Sequence, residues 1–190
     1  IQKTGKPIVM VLFTGRPLAL QSEEKQVNAI LNVWFGGTEA GAAIADVLTG
    51  KVSPTGKLTM SFPRVTGQCP IYYNHKMTGR PMSPDAWYTR YVSNYIDVLN
   101  EPLYPFGYGL SYTTYTYGDV SLNTNSIDAN GKIQASVIVT NTGAQDGEEI
   151  VQLYLRDIVR SITPPVQELK GFKRVALKAG ESKKVTFDID

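Results

Sequence analysis

One cysteine and one histidine are all the soft-ligand chemistry this 190-residue chain contains. Cys69 has no second cysteine to pair with. A secreted setting stays open, because a domain with an adequate core needs no disulfide. His75, Cys69 and scattered carboxylates lack the spacing of a zinc or calcium motif, and Asp119, Asp128 and Asp146 read as turn residues. No metal or cofactor is expected. A net charge of +2, without a Lys/Arg cluster, gives no reason to expect nucleic acid or an anionic membrane as partner. No apolar run approaches the roughly 18–20 residues that span a bilayer. No signal peptide is visible in the chain, so any targeting segment would lie upstream of Ile1. The missing Gly-x-Ser-x-Gly elbow argues against a serine hydrolase, and the missing Gly-x-Gly-x-x-Gly loop against a nucleotide site.

What is present is the composition of a soluble globular protein, 42% hydrophobic and 19% charged. Ile8–Phe13 (IVMVLF) and Ala29–Phe35 (AILNVWF) are continuous apolar runs that predict strands buried on both faces of a covered parallel sheet. Thr38–Leu48 predicts a helix: Ala43, Ile44, Val47 and Leu48 recur at helical spacing, and Gly50 is placed to end it. Lys57–Phe62 (KLTMSF) alternates like a short strand. Thr66–Asn100 has little periodicity and reads as a long irregular excursion. From Tyr115 the rhythm becomes period two. Lys132–Val139, Glu148–Leu155, Phe172–Leu177 and Lys183–Ile189 predict antiparallel strands separated by turn signals such as Asp146-Gly147.

The expected fold is therefore α/β plus all-β: a partial strand–helix–strand layer over residues 1–113, then a β-sandwich over residues 114–190. Both ends are expected to be cut short. Between the halves, Pro102–Thr113 carries Tyr104, Phe106, Tyr108 and Leu110, too apolar for a free linker and expected to pack between them.

Several strings, read in order, resemble family-3 glycoside hydrolases, the β-glucosidase and β-xylosidase family. GKPIVMVLFTGRPLAL (Gly5–Leu20), NVWFGGTEAGAAIADVLTGKVSPTGKLTMSFPR (Asn32–Arg64), GQCPIYYNHKMTGRP (Gly67–Pro81) and PLYPFGYGLSYTTY (Pro102–Tyr115) are similar to that family's second domain. VTNTGAQDGEEIVQLYLRD (Val139–Asp157), with Leu169–Val175 and KAGESKKVTFDID, is similar to its closing fibronectin type III-like domain. The resemblance implies the C-terminal part of a retaining, exo-acting β-glycosidase whose substrate is a β-glucoside or short oligosaccharide. It also implies a missing N-terminal β/α barrel as partner and a periplasmic or secreted location; a homodimer is compatible with it. The nucleophilic Asp would lie on the barrel and the acid/base Glu ahead of Gly5. Hydrolysis by this chain alone is therefore not expected.

Within the chain, Tyr73, Asn74, His75 and Arg80, beside Tyr72 and Lys76, offer the hydrogen-bonding and planar surfaces that sugar subsites use. They read as a polar wall on the aglycone side of the active site, or as a loop anchor at a domain interface. Arg16 reads as a buried salt bridge holding the Gly-Arg-Pro turn, with ligand binding at the carboxyl end of the strand as the alternative. Trp34 reads as core or as a sugar platform. Glu39 reads as a carboxylate favoured by a helix start. Glu23-Glu24 and Glu148-Glu149 do not suggest a catalytic pair. The other class of function is a carbohydrate-binding or scaffolding module using Tyr115, Tyr117 and Tyr154; β-xylosidase or arabinofuranosidase specificity also stays open.

Overall fold

The computed structural model describes residues 1–77, 79–81, 90–128 and 130–189. Residues 78 and 82–89 of the irregular excursion lie outside the described residues, as does Asp190 where the last expected strand ends. The chain divides into two compact units. The first comprises Ile1–Leu48, Leu58–Tyr108 and Asp157–Val166; the second comprises Thr49–Lys57, Gly109–Arg156 and Gln167–Asp190.

In the first unit, β1 (Val9–Leu12) and β2 (Ala29–Asn32) pair in parallel, Val9 opposite Ala29 and Leu12 opposite Asn32. A parallel pair needs a crossover. Residues 13–28 supply it and include the short helix α1 (Gln21–Glu24), which gives the charged Glu23-Glu24 stretch a helical turn. The Asn28 side chain continues the pairing by accepting the Ile8 N–H at 2.9 Å. Helix α2 (Ala40–Leu48) starts two residues later than its periodicity predicts. Gly37 at φ 66° keeps residues 37–40 in a turn whose Ala40 N–H bonds to the Gly37 carbonyl, and Gly50 at φ 77° follows the helix.

Within this chain the sheet has two strands; Val9 is 50% and Phe13 62% exposed, and α2 buries none of its residues. One expectation fails here for a physical reason. Lys57–Phe62 does not form a strand. Leu58 and Phe62 exchange backbone hydrogen bonds with residues 103–108, yet the only bridge among these described residues joins Phe62 to Tyr104. The facing segment contains Pro105, which has no N–H, and Gly107 at φ 80°, so no continuous ladder can form.

Phe62, 2% exposed, anchors the small core of this unit. Its ring lies 5.7 Å from Trp34 and 6.2 Å edge-on from Tyr104, and Tyr104 stacks on Tyr108 at 5.5 Å. Leu110, expected to pack between the halves with Tyr104, Phe106 and Tyr108, is 72% exposed. A fully buried amide, Gln68, closes the excursion. It accepts from the Arg64 N–H at 2.5 Å and donates to the Leu99 carbonyl at 2.7 Å.

The second unit is a sandwich. One sheet centres on β5 (Ile133–Asn141), with β8 (Ser182–Ile189) along one edge. The short strands β3 (Tyr115–Tyr117) and β4 (Ser121–Leu122) share the other edge. The other sheet pairs β6 (Gly147–Leu155) with β7 (Glu168–Leu177), both antiparallel, with a register shift at Leu153/Tyr154. Val139, Val151, Leu177, Val185 and Phe187 form the core, with Tyr115, Val137, Leu153 and Val175 packed against it. Period-two alternation makes this possible, because one face of each strand can be wholly apolar.

One buried and one partly buried polar cluster complete this unit. Asn141 accepts from the Thr113 hydroxyl at 2.6 Å and donates to the Gln145 and Leu177 carbonyls. Glu149 meets the Lys57 ammonium at 3.2 Å and accepts from the Tyr117 hydroxyl at 2.9 Å. Lys57 also donates to the Gly109 carbonyl at 2.8 Å. A methyl group at Gly109 would collide with the Gly56 carbonyl oxygen, so this close approach requires glycine.

Candidate functional site

Backbone anchors hold the candidate loop at two points. Tyr73 and Asn74 occupy a turn, and the Tyr73 ring stacks on Phe106, with 4.1 Å between centroids and 14° between planes. One residue later, the His75 carbonyl accepts the Val166 N–H at 2.8 Å, and Lys76 bridges antiparallel to Pro165. At the far end, the Arg80 carbonyl accepts the Ser93 N–H at 2.8 Å, and Pro81 bridges to Ser93. Asn74, His75 and Arg80 are exposed, as is Tyr72; Tyr73 is partly buried. The His75 Nδ1 lies 3.1 Å from the Lys76 carbonyl, which it bonds in the tautomer that carries a proton there. A loop fixed at its backbone with amide, imidazole and guanidinium groups outward suits hydrogen bonding to a hydroxyl-rich ligand.

The structure places Tyr73 and Asn74 in one turn with His75 directly after it, and Arg80 at the loop's other anchor. Sequence reasoning missed the supports: Phe106 under Tyr73, Val166 on His75, and buried Gln68 behind the excursion. Only Gln68 left a trace, as a polar residue beside a Cys-Pro step. The pairing with residues 165–166 is too distant in sequence to leave one.

At the carboxyl ends of β1 and β2 the expectations divide. Arg16 is exposed and has no ion pair among the described residues, so the buried salt bridge is absent there. The Thr14 hydroxyl closes this turn instead, donating to the Arg16 carbonyl at 2.7 Å and accepting its N–H at 3.2 Å. Trp34 lies two residues past the end of β2 and has φ 55°, a left-handed conformation that costs a non-glycine residue about 1–2 kcal/mol. Its contact with Phe62 favours the core role. Glu39 precedes α2 and is exposed, its carbonyl accepting the Ala43 N–H. Asn32, at the end of β2, has both side-chain polar atoms buried without a hydrogen-bond partner. A polar residue inside the run AILNVWF was the available signal for it.

Among the described residues, the carboxylates with a displaced pKa all move the wrong way for a general acid. The Ser22 hydroxyl holds Glu23 below the usual carboxylate range, Arg160 does the same for Asp157, and the Lys178 N–H does so for Glu181. A glycosidase general acid needs its carboxyl raised.

The tyrosines of the sandwich are tied into other contacts. Tyr115 packs against the core, Tyr117 is bound to Glu149, and the Tyr154 hydroxyl donates to Gln152 at 2.6 Å. An open groove in this unit is lined by Ser53, Glu148, Arg174, Glu181 and Lys183 among others, with no aromatic residue. Its charges pair with each other, Arg174 with Glu148 at 3.3 Å and Lys183 with Glu181 at 3.2 Å.

Comparison with known proteins agrees with this architecture. Residues 1–112 match the glycosyl hydrolase family 3 C-terminal domain, and residues 149–190 match a fibronectin type III-like domain. The periplasmic β-glucosidase of Salmonella typhimurium is 54% identical over 190 residues, all of this chain and 25% of that protein. A β-xylosidase of Formosa agariphila is 47% identical, again over all of this chain and 25% of its own length. Among solved structures, a mutant β-glucosidase from Listeria innocua in complex with laminaribiose superposes with a TM-score of 0.92 at 46% identity, covering 99% of this chain and 26% of that one. The chain thus spans about a quarter of the relatives it matches. It belongs to glycosyl hydrolase family 3, as that family's C-terminal domain running into a fibronectin type III-like domain.

Proposed function

We propose that this chain is the C-terminal part of a retaining, exo-acting β-glucosidase, and that it shapes the aglycone side of an active site whose catalytic carboxylates it does not carry. The observation that carries the reading is a match to β-glucosidases along essentially the whole chain, in order and with the same fold. Asn74, His75 and Arg80 support the finer assignment, exposed beside backbone anchors at His75 and Arg80. In the whole enzyme two carboxyl groups about 5–5.5 Å apart would act as nucleophile and acid/base in a double displacement. The nucleophile would be an Asp on a β/α barrel and the acid/base a Glu ahead of Gly5. Asn74, His75 and Arg80 would hydrogen-bond the leaving sugar, and Tyr73 would offer a ring edge beside it. The chain by itself would be inactive. A periplasmic or secreted enzyme fits, given the name of the Salmonella relative; a homodimer is compatible with it.

A second reading, β-xylosidase activity, is favoured by the 47% identity to the Formosa enzyme. Steady-state kinetics of the full-length protein on matched aryl β-glucosides and β-xylosides separates the two. The proposal expects the larger kcat/KM for the glucoside; a preference for the xyloside by more than about tenfold, some 1.4 kcal/mol, overturns it.

A further inference from the structure

Leu155 at the end of β6 and Glu168 at the start of β7 face each other in the ladder. An antiparallel pair in that register closes with a loop of about two to five residues. Here residues 156–167 intervene, and the surplus has a destination. Asp157–Val166 belongs to the first unit and not to the sheet it interrupts. There its Val166 N–H bonds to the His75 carbonyl and Pro165 bridges to Lys76. Pro164 and Pro165 limit the backbone freedom of the approach, so the hydrogen bond is made at a low entropic cost.

We propose that Pro165–Val166 positions the Tyr73–His75 loop, so that the Val166 N–H sets affinity for the leaving-group side of a β-glucoside without touching it. This rests on the reading of that loop as the aglycone wall. Phe106 fixes the loop at Tyr73 and Val166 fixes it two residues on, at His75. Asn74 lies between these two points, so its backbone is held before substrate arrives. Ordering a loop ahead of binding removes that cost from the binding step. A positioning residue of this kind moves KM more than kcat whenever the contacts it supports are equally strong in ground and transition states.

The test compares Val166→Pro, which deletes the N–H, with Val166→Ala, which keeps it, in the full-length enzyme. Val166→Pro is expected to speed amide exchange in the peptide covering residues 72–77 by about tenfold. It is also expected to raise KM for laminaribiose by roughly three- to tenfold, with kcat within about twofold. Val166→Ala should do neither. Should Val166→Pro not fold, Pro165→Gly keeps the N–H, loosens the approach, and is expected to move both readouts in the same direction but less. Unchanged exchange overturns the proposal, as does faster exchange with an unchanged KM. Asn74→Ala then separates the causes. If it raises KM where Val166→Pro did not, positioning fails and the wall stands. If it also leaves KM unchanged, the wall itself fails.

Discussion

The ring of Tyr73 lies face to face with that of Phe106, 4.1 Å between centroids and 14° from parallel. The pair is separated by more than thirty residues in sequence, so it fixes the start of the candidate loop to the segment that follows the excursion. Phe106→Leu keeps most of the apolar volume and removes the stacking, worth about 0.5–1.5 kcal/mol beyond area burial. A loss of that size in denaturant-midpoint measurements is expected. It should be accompanied by faster proteolytic cleavage near Asn74.

Gln68 carries a heavier structural role than any of the exposed polar residues. It is completely buried and bonds both the Arg64 N–H and the Leu99 carbonyl. Gln68→Ala would strand a donor and an acceptor in the interior, each costing about 1–3 kcal/mol. The expected loss is about 2–4 kcal/mol, readable in urea unfolding, whereas Gln26→Ala on the exposed surface should change stability by less than about 0.5 kcal/mol.

The Lys57–Glu149–Tyr117 cluster makes a prediction for alkaline pH. Burial, followed by the Glu149 carboxylate beside it, pushes the Tyr117 phenol above its ordinary value of 10.0. The folded state therefore holds that proton more tightly than the unfolded state does. Its contribution to stability is complete below pH 10 and is lost as pH rises through the folded-state value. Tyr117→Phe should flatten the decline in melting temperature above pH 10 and cost about 1 kcal/mol at neutral pH through the lost hydrogen bond. An equally steep alkaline decline in this variant would contradict the assignment.

Lys57→Met tests the same cluster from its other side. It leaves the nearly buried Glu149 carboxylate without its cation, and breaking a buried pair by removing one partner costs about 3–5 kcal/mol. Replacing both partners, Lys57→Met with Glu149→Leu, should recover much of that loss. Thermal melts of the single and double variants check it.

What the sequence disclosed was whatever depends on neighbours along the chain. Period two in Lys183–Ile189 and Glu148–Leu155 located the sandwich strands, because one apolar face per strand is a local property. Gly50 marked the end of α2 for the same reason. The apolar run IVMVLF gave a strand but not its environment, since coverage depends on how many strands and helices pack beside it. KLTMSF alternated correctly, yet its ladder failed on Pro105 and Gly107 in another segment. The candidate loop was legible as residue types, Tyr73 to Arg80. Its supports were not: Phe106 and Val166 reach it by contacts across tens of residues, which no local pattern encodes. The left-handed Trp34 had no sequence signal at all.

The central claim is that these residues support a β-glucosidase active site without holding its catalytic pair. The most direct measurement is turnover of an aryl β-glucoside by the purified 190-residue chain beside the full-length enzyme at equal concentration. The account predicts hydrolysis by the full-length enzyme and none above the uncatalysed background by the chain. Hydrolysis by the chain that scales with its concentration, and survives further purification, would contradict it.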